Sequence, residues 1–212
     1  MKYYTLNICG LKRKLPLAHI SKKTLLANFS ILGDVELVDT LADALAKKLK
    51  EYKFDYLVGL EIKVVPLVHG IAKRLGQKRF ILCRKSVKPY MASPVILKPL
   101  SHFPKHVRPL VINGKDAKLL KNKKVIIIDT VISTGVTMRM AKKIMEKVKT
   151  KPVLMVAILR QGEQFDKFDN LFYLKEIPLF KTTTSKLQNY YFKTTSKLLL
   201  QNYYLTACQI IL

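Results

Sequence analysis

The spacing of apolar and polar residues predicts a chain of alternating strands and helices. Three segments carry apolar residues at helical spacing, and the longest begins with acids and ends with lysines, as the helix dipole favours. Short apolar runs bounded by Gly, Pro or charged residues predict strands. The predicted helices are Val35–Tyr52 with Asp34 as N-cap, Val64–Gly76 and Thr137–Lys149, and the predicted strands are Tyr3–Ile8, Leu11–Ile20, Asp55–Leu60, Arg79–Lys85, Val125–Ile128, Val153–Leu159 and Leu171–Leu174.

This order of elements predicts an α/β fold with a central parallel sheet flanked by helices. One segment, Ser86–Lys124, is less regular and is rich in Pro, Lys and His. It contains short apolar pieces at Val95–Leu97 and Leu110–Ile112, and a turn signal at Asn113-Gly114. Long excursions of this kind often cover binding sites, so we expect a mobile segment here.

Length and composition suit one globular domain. The chain has 212 residues, 49% of them apolar, which is enough for a buried core. No apolar run is long enough to span a bilayer, and the N-terminal sequence lacks the apolar core of a signal peptide, so we expect a cytoplasmic protein with no membrane partner. Cys9, Cys83 and Cys208 form no CxxC pair, which favours reduced thiols over a disulfide framework or a zinc site.

The chain is strongly basic, with a formal net charge of +25. Such a protein attracts polyanions, including phosphorylated small molecules. The 32 lysines and 7 arginines are scattered along the sequence, however, and form no basic stripe with interleaved aromatic residues. We therefore do not expect a nucleic-acid partner.

The C-terminal segment differs from the rest. FKTTTSKLQNYY at Phe180–Tyr191 is followed by the near-repeat FKTTSKLLLQNYY at Phe192–Tyr204, and no acid follows Glu176. Two copies of this length are too short for a solenoid. We expect a domain over residues 1–180 and an accessory or poorly ordered tail over residues 181–212, with a basic arm for an acidic partner as the alternative.

One stretch has the pattern of a ligand site. In VIIIDTVISTGVT, Val125 to Thr137, an apolar strand is expected to end near Asp129 and to lead through small hydroxyl residues and Gly135 into a helix. Ligands bind at the carboxyl ends of parallel strands, and a helix N-terminus offers free N–H groups to an anion. The stretch therefore favours a phosphate site, although an ordinary capped helix without a ligand gives the same pattern.

This stretch resembles the thirteen-residue phosphoribosyl-pyrophosphate motif of type I phosphoribosyltransferases. Further motifs follow the order seen in the adenine phosphoribosyltransferase-like members of the purine-salvage group, and the resemblance covers roughly residues 3–180. The resemblance implies the type I phosphoribosyltransferase fold, with a small hood built from N-terminal residues and part of 86–124. These motifs are ANFSILGD (27–34), GLEIKVVPLVHGIAKRLG (59–76), RKSVKPYM (84–91) and EIPLF (176–180).

The resemblance also implies an activity and a set of site residues. It implies transfer of the phosphoribosyl group of phosphoribosyl pyrophosphate to a purine base, adenine above all, with release of pyrophosphate and with Mg²⁺ bound through the diphosphate. It further implies a homodimer and no metal held by protein side chains alone. The implied catalytic residues are Asp129 and Lys63, and the implied substrate-binding residues are Ser133, Thr134, Gly135, Val136, Thr137, Thr130, Glu61, Arg84, Lys85 and Lys88.

By the same resemblance, each group of residues has a role. Ser133 to Thr137 hold the ribose 5-phosphate, and Asp129 accepts hydrogen bonds from ribose hydroxyls. The loop Glu61–Val64 corresponds to the pyrophosphate loop, which in the family often contains a cis peptide bond, and Lys63 faces the diphosphate. Arg84, Lys85 and Lys88 add positive charge near the same leaving group.

Four positions depart from the family pattern. Thr130 replaces a second acid, Val136 and Val64 replace glycines or small residues, and Ile62 replaces a small residue beside Lys63. We expect Thr130 to weaken the hold on the ribose, Val136 to resist the loop's dihedral angles, and the two residues flanking Lys63 to crowd the diphosphate. These departures leave two alternatives open, a non-catalytic phosphoribosyl- or nucleotide-binding regulator and a protein that retains only the fold.

Overall fold

The computed structural model describes residues 2–21, 23–101, 103, 107–162 and 168–181. The predicted tail, from residue 182 onward, lies outside the described residues. Contacts divide the described residues into a larger unit, within residues 2–17 and 27–178, and a smaller one, within residues 18–26 and 179–181. Within the described ranges, no helix is both long enough and apolar enough to cross a lipid bilayer.

The described residues form strands and helices in the predicted alternation, with boundaries shifted by a few residues. The strands are β1 (Tyr3–Ile8), β2 (Leu11–His19), β3 (Thr24–Ala27), β4 (Tyr56–Leu60), β5 (Ile81–Cys83), β6 (Val95–Leu97), β7 (Leu110–Ile112), β8 (Lys124–Ile132), β9 (Lys151–Gln161), β10 (Leu171–Ile177) and β11 (Phe180–Lys181). The helices are α1 (Val35–Leu49), α2 (Val65–Arg74), α3 (Gly114–Leu120) and α4 (Val136–Lys147).

A five-stranded sheet is the centre of the larger unit. Its order is β10-β9-β8-β4-β5, and each neighbouring pair is parallel. Strands of a parallel sheet that helices cover on both faces have continuous apolar stretches, and Val125 to Ile128 of β8 are fully buried. The predicted α/β fold with a central parallel sheet is confirmed.

The order of the strands reverses between β4 and β8. From β4 the chain passes through α2 to β5 on one side, whereas from β8 it passes through α4 to β9 on the other side. β4 and β8 are themselves neighbours, with Tyr56 opposite Val125 and Gly59 opposite Ile128. In open parallel sheets, ligands bind in the crevice at such a reversal, outside the carboxyl ends of the two strands.

Smaller antiparallel pairs accompany the main sheet. In the larger unit, β1 and β2 form a hairpin from Tyr3 opposite Pro16 to Ile8 opposite Leu11, and β6 pairs with β7. The α1 helix begins at the expected cap, since the Asp34 carboxylate accepts the N–H of Leu37 at 3.0 Å. In the smaller unit, β3 pairs with β11. The hood that we expected from residues of 86–124 stays a prediction.

Two local predictions are wrong. The strand expected to end near Asp129 continues to Ile132, so Asp129 lies within β8 and not at its end. Asn113-Gly114 is not a simple turn, because the Asn113 side chain accepts the N–H of Lys115 at 3.3 Å and caps α3, a helix that apolar spacing did not reveal. Asn favours both turns and helix N-caps, which is why the dipeptide alone could not separate them.

Gly114 allows a close approach between α3 and the preceding chain. A Cβ atom at this position would lie 2.3 Å from the Ala92 carbonyl oxygen and 2.5 Å from that of Ser93. The Gly114 N–H also donates to the Ala92 oxygen at 3.1 Å. Backbone atoms cannot move aside as a flexible side chain does, so this contact requires glycine.

We therefore expect Gly114→Ala to destabilise the protein, although Gly→Ala inside a helix normally stabilises it by about 1 kcal/mol. The overpacking against backbone should lower the free energy of unfolding by about 3 kcal/mol, measured from urea denaturation midpoints. Lys115→Ala, an exposed change on the same helix, is the control and should stay within about 0.5 kcal/mol of the parent. Stabilisation by Gly114→Ala would contradict this description of the contact.

Candidate functional site

Two strand–helix junctions lie side by side where the strand order reverses. β4 leads into α2 and β8 leads into α4, and both helices begin without a side-chain hydrogen bond to their first turn. By contrast, α1 and α3 are capped by Asp34 and Asn113. An uncapped helix N-terminus leaves backbone N–H groups and partial positive charge available to an anion.

The β8–α4 junction forms a pocket lined by Asp129 and by the residues from Val131 to Met138. Ser133 and Thr134 are exposed in its loop, and Gly135 adopts a left-handed conformation with φ 73°. The first hydrogen bond of α4 runs from the Arg139 N–H to the Gly135 oxygen at 2.9 Å. The amides before Arg139 therefore precede the helical ladder, and with the two hydroxyl groups they suit a phosphate.

Val136 does not distort this pocket, so the conflict predicted for it is wrong. The left-handed conformation that the loop needs is adopted by Gly135, and Val136 begins α4. The Val136 side chain is only 8% exposed and belongs to the hydrophobic core. A β-branched residue is tolerated here because it has helical dihedral angles.

Asp129 supplies the carboxylate of the pocket. Its Oδ1 accepts the N–H of Thr130 at 2.7 Å. Although part of the side chain reaches solvent, the surrounding protein removes most water from the carboxyl group, and this burial raises its pKa to about 6. The Thr130 N–H and the positive charges of Lys85 and Lys63 act in the opposite direction. Both lysines thus lie near enough to Asp129 to affect its ionisation.

Thr130 was expected to contact the ligand, but it does not line the pocket described here. Its side chain is buried at 6% exposure. The contribution of Thr130 is made through its hydrogen bonding to the Asp129 carboxylate.

The β4–α2 junction contains the loop Glu61–Val64, and its Glu61–Ile62 peptide bond is cis, as the resemblance implied. Lys63 is half-buried beside it. Val64 is fully buried, so its side chain does not crowd the loop surface, and the obstruction predicted for it is wrong. Ile62 is 60% exposed and stays at the surface of the loop.

Gly59 makes the inward position of Val64 possible, which the sequence motif did not reveal. A Cβ atom on Gly59 would lie 3.1 Å from Val64 Cγ1 and 3.0 Å from Val68 Cγ2. These distances are tighter than ordinary van der Waals contact. The absence of a side chain at Gly59 in β4 therefore lets the start of α2 pack against the sheet. This packing sets the direction of the Glu61–Val64 loop.

Arg84 and Glu61 contact each other, although both were predicted to contact the ligand. Arg84 Nε lies 2.8 Å from Glu61 Oε2 in an ion pair, and Arg84 Nη2 donates a hydrogen bond to Glu61 Oε1 at 3.5 Å. Arg84 also donates to the Tyr90 hydroxyl at 2.8 Å. Its backbone exchanges hydrogen bonds with Val111 at 2.7 and 2.8 Å. The ion pair between Arg84 and Glu61 therefore connects the end of β5 to the Glu61–Val64 loop.

The remaining cations differ in exposure. Lys85 is exposed and Lys88 is half-buried, with the Lys88 N–H directed at Met91 Sδ at 3.5 Å. Of the predicted site residues, the structure gathers Ser133 to Thr137 in one pocket and brings Lys63 and Lys85 near Asp129. Tyr90, which holds Arg84, was not predicted, because a lone tyrosine in an irregular segment carries no signal in the sequence.

A family model, described as the phosphoribosyl transferase domain, matches residues 31–185. No curated protein matches the chain significantly. Adenine phosphoribosyltransferase from Thermoanaerobacter pseudethanolicus is 20% identical with a TM-score of 0.56, and the alignment covers 69% of this chain and 84% of that one. The enzyme from Leishmania donovani is 18% identical with a TM-score of 0.60, covering 82% and 76%. That from Rhodothermus marinus is 17% identical with a TM-score of 0.57, covering 82% and 94%.

The raised pKa of Asp129 predicts a pH-dependent cost to stability. Below the unfolded pKa of about 3.9 the carboxyl is protonated in both states. Between the unfolded pKa and the folded pKa of about 6, the folded state binds more protons than the unfolded state, so the free energy of unfolding falls as pH rises. The full loss of stability is present above pH ~6. We expect Asp129→Asn to increase the free energy of unfolding by ~1–2 kcal/mol near pH 7.5, a value reduced for partial solvent exposure.

Near pH 4 this gain should disappear, because the parent carboxyl is then protonated and resembles the amide. Urea denaturation of both proteins at the two pH values measures the difference. Glu146→Gln on the exposed face of α4 controls for the loss of one negative charge. A gain of equal size at both pH values would show that Asp129 stability effects do not arise from its ionisation.

Proposed function

Because the chain belongs to the phosphoribosyl transferase domain family, a family of pentosyltransferases, we propose that it transfers the phosphoribosyl group of phosphoribosyl pyrophosphate to a purine base. The observation that carries this proposal is the pairing of two helix N-termini without side-chain caps at the reversal of strand order, with Lys63 and Lys85 close enough to Asp129 to affect its ionisation. This arrangement offers one anion site at each junction and a carboxylate between them. A sugar with a phosphate at one end and a diphosphate at the other has the matching chemistry.

The β8–α4 junction is proposed to bind the 5-phosphate. The exposed hydroxyls of Ser133 and Thr134, the side chain of Thr137 and the backbone N–H groups of Gly135 and Val136 supply hydrogen-bond donors to phosphate oxygens. Gly135 allows the backbone to approach the ligand closely. The chemistry takes place at the other end of the sugar, so this junction contributes binding and orientation.

The β4–α2 junction is proposed to bind the diphosphate. Lys63 and Lys85 place positive charge where the leaving group gains negative charge, and Lys88 adds to the field from the following segment. Glu61 and Arg84 act through the ion pair between them, which positions the loop, and so we assign them a positioning role. A fixed cation near a departing anion stabilises the transition state more than the ground state.

The reaction that follows from this placement is a displacement at the anomeric carbon. A ring nitrogen of the purine forms the new bond to that carbon as the bond to the diphosphate oxygen breaks, and the diphosphate leaves with the bonding electrons. The proton that the ring nitrogen carried is released to solvent. Asp129 is proposed to accept hydrogen bonds from ribose hydroxyls and thereby to orient the sugar. Because the sugar acquires cationic character in the transition state, the ionised carboxylate nearby also stabilises it.

Mg²⁺ is proposed to arrive with the diphosphate as part of the substrate. Within the described residues, no group of three or more His, Cys, Asp or Glu side chains is arranged to hold a metal ion. Asp129 has cationic neighbours, which suits a site for a metal–diphosphate complex better than one for a bare cation. A divalent ion bound to the substrate neutralises part of the diphosphate charge.

Adenine is the base we propose, since the neighbours in fold are adenine phosphoribosyltransferases. The homodimer and the cytoplasmic location expected from the sequence belong to the same proposal. The alternative remains a non-catalytic protein that binds a phosphoribosyl ligand. The burial of Thr130 in place of a second acid and the exposed Ile62 in the diphosphate loop favour that alternative.

Incubation of the protein with phosphoribosyl pyrophosphate, Mg²⁺ and each purine base in turn tests the proposal. We expect pyrophosphate release with adenine and slower or no release with the other bases. Isothermal titration with ribose 5-phosphate measures binding at the phosphate junction independently. Absence of release with every base, together with retained ribose 5-phosphate binding, would exclude the transferase and support the non-catalytic alternative.

Lys63→Ala should reduce kcat/KM strongly, because it removes charge that acts on the leaving group. Loss of one preorganised electrostatic contact typically costs a factor of about 10²–10³. Steady-state pyrophosphate release provides the measurement, and ribose 5-phosphate affinity should change little. Lys47→Ala on the exposed face of α1 is the matched control. Equal activity of the two variants would remove Lys63 from the proposed mechanism.

A further inference from the structure

The fold collects lysines that are scattered in the sequence onto one edge of the main sheet. Because parallel strands all begin at the same edge, the residues that precede β4, β5, β8 and β9 lie together there. Lys124 and Lys151, for example, are opposite each other on β8 and β9. We call this surface the amino edge, and its cationic residues are Lys53, Lys78, Arg79, Lys121, Lys123, Lys124, Lys149 and Lys151, all of them exposed.

Backbone hydrogen bonds join the loops of the amino edge into one continuous surface. The Lys151 N–H donates to the Lys123 oxygen at 2.9 Å, and the Asn122 N–H donates to the Lys149 oxygen at 2.8 Å. On the other side, the Asp55 N–H donates to the Lys124 oxygen at 2.8 Å. These bonds fix the loops before β4, β8 and β9 relative to one another, so the lysines form a preformed surface.

Few acids neutralise this edge. Asp55 pairs with Lys123 at 3.6 Å, and Asp116 pairs with Arg79 at 2.9 Å. Asp169 is exposed before β10, at the end of the same edge. In the described part of the chain, no ion pair involves the six remaining lysines, which are Lys53, Lys78, Lys121, Lys124, Lys149 and Lys151. Their charges are therefore available to an anionic partner.

A pocket opens at the β5 end of this edge. It has a volume of about 420 Å³, and its lining includes His69, Lys73, Gln77 and Phe80. The rings of His69 and Phe80 meet edge to face with centroids 6.4 Å apart. The Gln77 side-chain nitrogen donates to the backbone carbonyl oxygen of Asp55 at 3.4 Å, which links the pocket to the lysine surface. The Gln77 side-chain oxygen is buried and has no partner among the described residues.

We propose that the amino edge binds single-stranded nucleic acid. The unpaired lysines supply the contacts to consecutive phosphates, and the pocket supplies aromatic surface on which one base can stack. An anionic membrane fits this surface less well, because membrane-binding surfaces add exposed apolar side chains. Among the exposed large apolar residues in the described ranges, Leu119 alone belongs to a segment that leads into this edge.

The proposal departs from the expectation drawn from the scattered lysines, and it goes beyond the transferase reaction. The amino edge lies at the opposite end of β8 from the phosphate pocket, about 25 Å away at ~3.3 Å per residue. The two sites are therefore separable, and each can be disabled without the other.

Fluorescence anisotropy with a labelled single-stranded RNA of about 16 nucleotides tests the proposal. The edge variant carries Lys121→Gln, Lys124→Gln and Lys151→Gln, and the control variant carries Lys12→Gln, Lys14→Gln and Lys47→Gln at three exposed positions elsewhere. Both remove three charges. At about 0.1 M salt we expect the edge variant to bind at least ~10-fold more weakly, and the slope of log affinity against log salt to fall by about 2, from ~0.7 per lost phosphate contact.

Three results would overturn the proposal. Equal weakening of both variants would show a general effect of net charge. Equal affinity for inorganic polyphosphate and for RNA of the same charge would show that the pocket does not recognise bases. Binding to phosphatidylserine-containing vesicles but not to RNA would identify a membrane surface. Unfolding midpoints verify that the variants are folded, and unchanged pyrophosphate release by the edge variant would separate this site from the transferase site.

Discussion

The parallel pairing of β4 with β8 is the constraint on which the candidate site depends. Because these two strands are neighbours while the chain leaves them in opposite directions, the N-termini of α2 and α4 meet at one crevice. Neither helix has a side-chain cap, so each N-terminus directs partial positive charge into the crevice. At α4 the first amides are also available as donors, whereas at α2 the Val65 N–H donates to the Ile62 oxygen and Pro66 has no N–H. Small residues complete the arrangement, since Gly59 brings α2 onto the sheet and Gly135 turns the chain into α4. The two proposed anion sites thus follow from topology before any charged side chain is considered.

The charged side chains of the candidate site lower the stability of the folded protein and suit it to bind a charged ligand. Asp129 is kept in a poorly hydrated position, where burial raises its pKa and Lys63 and Lys85 only partly compensate. A carboxylate in this situation is stabilised when donors such as sugar hydroxyls reach it, and the neighbouring lysines are stabilised when an anion reaches them. The ion pair of Arg84 with Glu61 is different, because it is already satisfied within the protein and instead maintains the loop geometry.

Much of the fold could be predicted from the sequence, because in the long elements the spacing of apolar residues agrees with the Gly, Pro and charged residues that flank them. The helices α1, α2 and α4 and the pieces β6 and β7 were found from apolar spacing and from flanking Pro and Gly. The continuation of β8 beyond Asp129 was missed, because the polar residues Asp129 and Thr130 in its second half resemble the start of a loop. The inward packing of Val64 and Val136 was also missed, because a sequence motif does not show which way a side chain points. The clustering of lysines at the amino edge was inaccessible for a similar reason, as strand register alone brings them together.

The contact of Gly114 with Ala92 has a consequence for how the chain tolerates change in length. The Gly114–Ala92 hydrogen bond joins the two ends of segment 92–114. The pairing of β6 with β7, with Leu97 opposite Leu110, joins the two sides of the same segment again, closer to its middle. The connection between those strands is therefore anchored at its base independently of its own length. Doubling the length of a flexible connection costs only ~0.6 kcal/mol in closure entropy. Insertions between residues 98 and 109 are thus a route by which relatives can acquire new surface without disturbing the sheet or the pocket.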